Sequence, residues 1–286
     1  MKSESLPGSI TLRNGLDMPS VGLGVYKMKD GREVISSILA AIEEGYRLID
    51  TASFYDNEEG VGEAIRQSGI PRKEIFVTSK LWIDDIRSNN TRQAFERSLE
   101  KLGFDSLDLY LIHWPVPGKY LDAWQTMQEL YAEGKVKAIG VSNCLKHHLE
   151  ALREIGGIQP VLVQNEFHPR LIQQDLIDYC QKRDIQYQAW SPLMRGKILD
   201  HNLLKEIGQK YQKTAAQVIL RWALQKRVAV LPKSVHNERI RENMQIFDFE
   251  LSDAETNRID SLEDNTRTGA HPDEFMDYFR KKGVIA

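Results

Sequence analysis

Four side chains able to hold or transfer a proton follow apolar segments in the first half of the chain. Asp50 closes the second predicted strand, and Tyr55 stands five residues later. Lys80 and His113 close the third and fourth predicted strands. Taken singly, such residues are usually turn formers, surface lysines or packed histidines. At the ends of three successive strands they would meet at one edge, and this arrangement predicts an active site.

These groups suit the reduction of a carbonyl by hydride. Hydride added to carbon leaves negative charge on oxygen, which then needs a proton and polar neighbours. Tyr55 would donate the proton, and a buried Lys80 would lower the pKa of the phenol from its free value of ~10. Asp50 would supply the counter-charge that a buried lysine requires. His113 would hydrogen-bond the substrate oxygen or help to move the proton.

The elements that must position these residues alternate along the chain. Predicted strands begin near Val21, Tyr46, Ile75, Leu107, Val136, Val161, Ile185 and Val228. Predicted helices cover residues 31–44, 58–68, 91–102, 119–133, 146–155, 174–183, 201–225 (broken near Lys213) and 238–246. This alternation indicates a parallel sheet with right-handed crossovers. Without a Pro-, Gly- or Ser-rich linker, it predicts an α/β fold in which residues 1–286 form one (β/α)8 TIM barrel.

Further elements are predicted at both ends of the barrel. Asn14-Gly15 separates two short apolar-rich segments and predicts an N-terminal β-hairpin. A helix is predicted near 252–262, followed by an irregular tail from Thr266 to Ala286. Glycines stand just past three predicted helix ends, as left-handed C-terminal caps require: Gly45, Gly103 and Gly134.

Composition excludes several functional classes. The net charge of −3 gives no general attraction to nucleic acid or to an anionic membrane. No apolar run approaches the ~20 residues of a membrane span, and the first eight residues lack the apolar core of a signal peptide. Cys144 and Cys180 form no disulfide or zinc pattern. We therefore expect a cytoplasmic protein without a metal.

Polar and aromatic residues at the ends of the later strands suit a cofactor. Ser142, Asn143 and Gln164 offer groups that would bind a carboxamide such as that of nicotinamide. Trp190, at the end of the seventh predicted strand, would stack on a flat ring. Strand-end capping and packing at the barrel rim remain the alternatives for these residues.

A phosphate site is indicated where the eighth strand runs into a helix, the place where barrels often hold phosphate. Lys233 and Arg239 add two cations that suit a 2′-phosphate, although a solvated charge cluster is the alternative. A Rossmann reading of Gly22-Leu-Gly24 with Asp50 is disfavoured, because Lys27 occupies the third glycine position.

Two long motifs carry a family resemblance. Residues 45–52, Gly-Tyr-Arg-Leu-Ile-Asp-Thr-Ala, precede Tyr55 and the segment Glu58-Glu-Gly-Val-Gly62. Leu231-Pro-Lys-Ser234 precedes Arg239, Glu242 and Asn243. Together they resemble the aldo-keto reductase family over almost the whole chain, and the pattern is most similar to the bacterial branch of diketogluconate, glyoxal and methylglyoxal reductases.

The resemblance implies NADPH-dependent reduction of aldehydes and reactive ketones such as glyoxal, methylglyoxal, aromatic aldehydes and keto-sugars. It places the catalytic set on Asp50, Tyr55, Lys80 and His113, with Tyr55 as the acid. It places cofactor contacts on Gly24, Val25, Tyr26, Asp50, Ser142, Asn143, Gln164, Trp190, Ser191, Leu193, Lys233, Ser234, Val235, Arg239, Glu242 and Asn243. It places the substrate rim on Tyr26, Trp82, His113 and Trp114. It also implies a monomer whose tail shapes substrate choice.

Some residues depart from the family pattern, and two other functions stay open. Trp190 stands where Tyr is common, Cys144 where an aromatic residue is frequent, and Glu63 where a basic residue usually ends the first motif. One alternative makes Lys80 the Schiff-base nucleophile of a barrel aldolase. The other is a non-catalytic barrel that binds a nucleotide as a sensor or scaffold.

Overall fold

Eight short parallel strands curve into a barrel in the computed structural model, which describes residues 8–285. Two earlier strands, β1 (Ser9–Thr11) and β2 (Asp17–Pro19), form a separate antiparallel hairpin. The barrel strands are β3 (Leu23–Gly24), β4 (Leu48–Asp50), β5 (Phe76–Leu81), β6 (Leu109–Ile112), β7 (Ile139–Ser142), β8 (Leu162–Glu166), β9 (Gln186–Trp190) and β10 (Val228–Leu231).

The barrel closes between its first and last strands. Consecutive strands pair in parallel from β3 to β10. Val21 forms a parallel bridge with Val230, and the amide of Val230 donates to Ser20 O over 2.8 Å. The predicted (β/α)8 barrel is confirmed, with strands beginning within three residues of the predicted positions. A Rossmann arrangement is excluded, because a Rossmann sheet is open whereas the sheet of this protein closes on itself.

Helices cross over between the strands and follow the last one. Within the described residues they are α1 (Arg32–Glu43), α2 (Glu58–Gln67), α3 (Ile83–Arg87), α4 (Thr91–Leu102), α5 (Tyr120–Ala132), α6 (Lys146–Glu154), α7 (Gln174–Gln181), α8 (Asn202–Tyr211), α9 (Ala215–Gln225), α10 (Asn237–Met244), α11 (Asp253–Asp260) and α12 (Phe275–Lys281). The predicted break near Lys213 is confirmed, since α8 ends at Tyr211 and α9 begins at Ala215. Thr214 starts α9 with a capping box, exchanging hydrogen bonds with Gln217.

The hairpin closes one end of the barrel and leaves the other for the site. Met18 and Leu12 belong to the same buried apolar cluster as Leu48 and Phe76, which lie at the starts of their strands. Burial of these side chains supplies the main stabilisation at this end. The C-terminal ends of the strands, where the predicted functional residues lie, are therefore the open face.

The tail differs from prediction. Residues 266–286 were expected to be irregular, but α12 forms there because Phe275 and Phe279, four residues apart, pack against the site. A helix of seven residues is only marginally stable by itself and forms through tertiary packing. The sequence pattern of so short a segment therefore does not predict it. Residues 1–7, on which the expected lack of a signal peptide rests, lie outside the described residues. Among residues 8–285 no helix is long and apolar enough to cross a membrane.

Candidate active site

An ion pair lies at the centre of the open face. Lys80, near the end of β5, is fully buried, and its Nζ donates to Asp50 Oδ1 at the end of β4 over 2.6 Å. The same ammonium donates to Thr51 O over 2.8 Å and to Tyr55 Oη over 3.2 Å. Three acceptors therefore satisfy the three donors of the ammonium, which is how a charged lysine is tolerated in a barrel interior.

The phenol of Tyr55 is held in its protonated form. Burial raises the pKa of Tyr55 well above its ordinary value, and the nearby Asp50 and Tyr26 add to the effect. The predicted contact between Lys80 Nζ and the phenol is present, but burial outweighs it, so the net pKa of Tyr55 is raised where a lowered one was expected. The reason is that Asp50 neutralises the ammonium at 2.6 Å, so little net positive charge remains to offset the lost hydration of a phenolate.

His113 follows β6 and faces the same centre. Its ring lies 5.6 Å from that of Tyr55, centroid to centroid, and nearly perpendicular to it. Burial, followed by the charge of Lys80, lowers the pKa of His113 well below its ordinary value. The imidazole is therefore neutral near pH 7 and offers one N–H donor. All four predicted residues thus come together at the open face of the barrel.

An aromatic wall surrounds this centre. Phe54 stacks on Trp82 with ring centroids 3.7 Å apart, and Tyr26 lies 4.9 Å from Tyr55. From the tail, Phe279 packs 5.7 Å from Trp82 and 5.2 Å from Trp114. Phe54 and Phe279 belong to this wall although neither was predicted as a site residue. Their only signal was the 275–279 aromatic spacing and the aromatic residue just before Tyr55.

Polar groups beside the centre form a connected set. Asn143 Nδ2 donates to His113 O over 2.9 Å, and Asn143 Oδ1 accepts from Trp190 Nε1 over 2.9 Å. Ser142 Oγ donates to Gln164 O over 2.7 Å. The predicted carboxamide residues and the predicted stacking ring are thus neighbours of His113.

A buried hydroxyl beside Trp190, that of Ser191, has no hydrogen-bond partner within residues 8–285. Ser191 also adopts a left-handed backbone, with φ of 54°, directly after Trp190. Both features carry a cost that a ligand hydrogen bond would offset. A cofactor with polar groups fits this place.

The predicted phosphate residues lie together after β10. Lys233 and Arg239 are exposed, and within the described part of the chain neither has a carboxylate partner. Ser234 is buried beside them, and Asn243 is buried on α10. Glu242 already accepts a hydrogen bond from Thr214 Oγ1, which fixes its carboxylate. Two unpaired cations at the start of a helix suit a phosphate group.

Comparison with known proteins decides the family. A family model described as the Aldo/keto reductase family matches residues 20–264. The chain belongs to the aldo/keto reductase family. It is therefore an oxidoreductase that reduces carbonyl compounds, and the predicted resemblance is confirmed.

Relatives and solved structures match over nearly full length. The chain is 53% identical to the oxidoreductase YtbE of Bacillus subtilis over 94% of this chain and 98% of the relative. It is 52% identical to a glyoxal reductase of the same organism, over 95% of this chain and 99% of that relative. A Bombyx mori aldo-keto reductase solved in complex with NADP superposes with a TM-score of 0.86 at 35% identity, over 93% of this chain and 96% of that one.

Proposed function

We propose that this aldo/keto reductase uses NADPH to reduce aldehydes and reactive ketones, with Tyr55 as the general acid. The observation that carries the proposal is the contact of Lys80 Nζ with both Asp50 Oδ1 and Tyr55 Oη in a fully buried position. The Bombyx mori relative was solved in complex with NADP, which supports the cofactor. The Bacillus subtilis relative that is 52% identical is a glyoxal reductase, which supports the substrate class.

The cofactor would lie between the two groups of residues described above. NADPH, when bound, supplies the hydride. Ser142, Asn143 and Gln164 would hold its carboxamide, and Trp190 would stack on the nicotinamide. Lys233, Ser234 and Arg239 would bind the 2′-phosphate. The remaining proposed contacts are Gly24, Val25, Tyr26, Asp50, Ser191, Leu193, Val235, Glu242 and Asn243.

The residues of the chain would complete the reaction by moving one proton. The neutral His113 would donate a hydrogen bond to the carbonyl oxygen and fix its position. Hydride on carbon turns that oxygen into an alkoxide, which is more basic than a phenolate, and the Tyr55 hydroxyl would protonate it. Lys80 would stabilise the resulting phenolate, and Asp50 would keep Lys80 charged. The product is the neutral alcohol.

The aromatic wall defines the proposed substrates. Tyr26, Trp82 and Trp114 would line the carbonyl pocket with His113, and this surface suits small or flat carbonyls such as glyoxal, methylglyoxal and aromatic aldehydes. Keto-sugars belong to the same proposal. We further propose that residues 1–286 act as one domain and as a monomer.

The aldolase alternative is weaker. A Schiff-base lysine needs a free amine, whereas all three donors of Lys80 Nζ are engaged, one of them with a carboxylate. Trapping of a substrate on Lys80 by borohydride would nevertheless revive it.

The proposal is tested by steady-state kinetics. Purified protein is assayed for NADPH and NADH oxidation with glyoxal, methylglyoxal, an aromatic aldehyde and a keto-sugar. We expect turnover with at least the two glyoxals and a higher kcat/KM for NADPH than for NADH. Failure to oxidise NADPH with every carbonyl would contradict the proposal, and tight NADPH binding without any turnover would favour a non-catalytic sensor.

A further inference from the structure

Residues 266–270 of the tail, here called the strap, are fastened to the end of β8. Glu166 Oε1 accepts from the backbone amide of Thr268 over 2.6 Å and also from the Thr268 hydroxyl. Glu166 Oε2 accepts from the amide of Gly269 over 3.2 Å. Thr266 N donates to Arg170 O and Arg267 donates to Gln173 Oε1, but Glu166 is the side chain that holds Thr268 and Gly269.

Glu166 is built to hold this segment. Its side chain is buried, and His168 Nε2 approaches Oε1 at 3.2 Å from a second direction. Although burial opposes ionisation, hydrogen bonds from His168 and Thr268 hold the pKa of Glu166 below its ordinary value. A buried carboxylate that receives several donors is a strong and geometrically defined anchor.

The strap packs against the indole of Trp190 through Gly269. Glu166 and Trp190 are register partners at the ends of β8 and β9. A Cβ added at Gly269 would lie 2.5 Å from Trp190 Cη2, well inside van der Waals contact, and 3.4 Å from Cζ2 and Cζ3. The φ of Gly269 lies outside the left-handed region, so the contact with the indole, and not the backbone conformation, demands a glycine here.

The indole of Trp190 is therefore fixed at two ends. Its Nε1 donates to Asn143 Oδ1 over 2.9 Å, and its six-membered ring lies against the Gly269 backbone. Stacking on a flat ring depends on the plane and height of the indole. The strap controls both at the end opposite Asn143.

We infer that Glu166 and Gly269 are positioning residues for cofactor binding: Glu166 holds the strap so that Gly269 sets the plane of Trp190 for stacking on the nicotinamide. The inference rests on the proposed function, since it takes Trp190 as the stacking ring. Residues 271–274 connect the strap to α12, which carries Phe279 of the aromatic wall.

The direct test is Gly269→Ala, assayed by NADPH fluorescence titration and by thermal unfolding. The added methyl must displace the indole, and we expect the Kd for NADPH to rise about tenfold while the Tm changes by only a few degrees. Asp277→Asn is the matched control. It removes an exposed ion pair with Arg280 on α12, outside the strap, and leaves the Glu166 contacts in place, so we expect an unchanged Kd.

A rescue separates positioning from general damage to the fold. Trp190→Phe keeps a ring but removes Cη2, so Gly269→Ala added to Trp190→Phe should weaken NADPH binding less than about twofold relative to Trp190→Phe alone. Glu166→Gln, which replaces an acceptor by a donor facing Thr268 and Gly269, should also raise the Kd. A loss in the double variant as large as in Gly269→Ala alone would overturn the role.

The binding assay also separates the two proposals. If the unmodified protein binds NADPH and Gly269→Ala binds it equally tightly, the positioning role is overturned and the proposed function stands. If the unmodified protein binds no NADPH, both are overturned.

Discussion

Gln164 Nε2 donates to Asp50 Oδ2 over 2.8 Å, while the other oxygen of the same carboxylate accepts from Lys80. Asp50 therefore joins the proposed carboxamide site to the proposed proton donor. Because both of its oxygens are engaged in a buried place, the carboxylate cannot rotate without breaking a charge-assisted hydrogen bond. The proposed cofactor site and catalytic group thus share one rigid residue.

Breaking the buried pair should destabilise the protein strongly. Asp50→Asn leaves the ammonium of Lys80 without its counter-charge, and Lys80→Met leaves the carboxylate alone. We expect each to lower the free energy of unfolding by about 3–5 kcal/mol, the usual cost of an uncompensated buried charge. Chemical denaturation measures this change.

The double variant serves as the control for that prediction. Asp50→Asn combined with Lys80→Met removes both charges, so its loss of stability should be clearly smaller than the sum of the single losses. Exposed Arg258 and Glu206 form an ion pair that offers a comparison, since Glu206→Gln should leave the free energy of unfolding nearly unchanged. Additive losses at Asp50 and Lys80 would contradict the coupling.

Tyr55→Phe should abolish turnover while NADPH still binds. The change removes only the hydroxyl that Lys80 contacts, and loss of a general acid typically lowers the rate by about 10²–10⁴-fold. Tyr46→Phe is the matched control, because its buried hydroxyl bonds to Ile240 O on the helix side of the barrel. We expect that variant to keep its kcat and to lose about 1 kcal/mol of stability. Normal kcat in Tyr55→Phe would remove the phenol from the mechanism.

Preference for NADPH over NADH should depend on Lys233 and Arg239. Each cation would make a charge-assisted hydrogen bond to the 2′-phosphate, worth about 1.5–3 kcal/mol. Lys233→Met should therefore raise the KM for NADPH by about 10–100-fold and leave the KM for NADH nearly unchanged. Lys73→Met changes an exposed lysine that precedes β5, at the opposite end of the barrel, and should alter neither value. Equal losses for both cofactors at Lys233 would contradict a phosphate contact.

The barrel and the meeting of the four central residues were predictable because both follow from periodic patterns. Apolar strands alternate with amphipathic helices, and parallel strands bring their C-terminal ends to one face. Thus the meeting of Asp50, Lys80 and His113 is predictable from the sequence alone. The break between α8 and α9 was also predictable from the sequence, since the capping box that starts at Thr214 is a local signal.

The remaining features depend on distances that no local pattern encodes. The raised pKa of Tyr55 follows first from its burial and then from the nearby Asp50 and Tyr26, and neither the burial nor these distances can be read from the sequence. The strap on Trp190 depends on a contact between residues 79 positions apart, Trp190 and Gly269. Helix α12 forms through packing on Trp114 and Trp82, which lie far away along the chain.

Acid should destabilise the protein through His148. Its Nδ1 accepts the backbone amide of Leu145 over 3.1 Å at the start of α6. Burial lowers the pKa of His148 to about 4, the neighbouring His147 adds to this, and Asp273 opposes it. The unfolded chain therefore binds a proton near pH 6.5 that the folded chain does not accept until about pH 4.

The sign of the effect follows from that difference. Above pH 6.5 both states are neutral at this residue and stability is unaffected, whereas between pH 6.5 and about 4 the unfolded state gains protons and stability falls. The loss from His148 alone should reach about 3 kcal/mol at the lower limit. His148→Gln cannot titrate, so its free energy of unfolding, measured in urea from pH 7 to 4.5, should fall less steeply than that of the unmodified protein. His201→Gln, at an exposed position, is the control, and an identical pH slope in His148→Gln would show that this imidazole is not responsible.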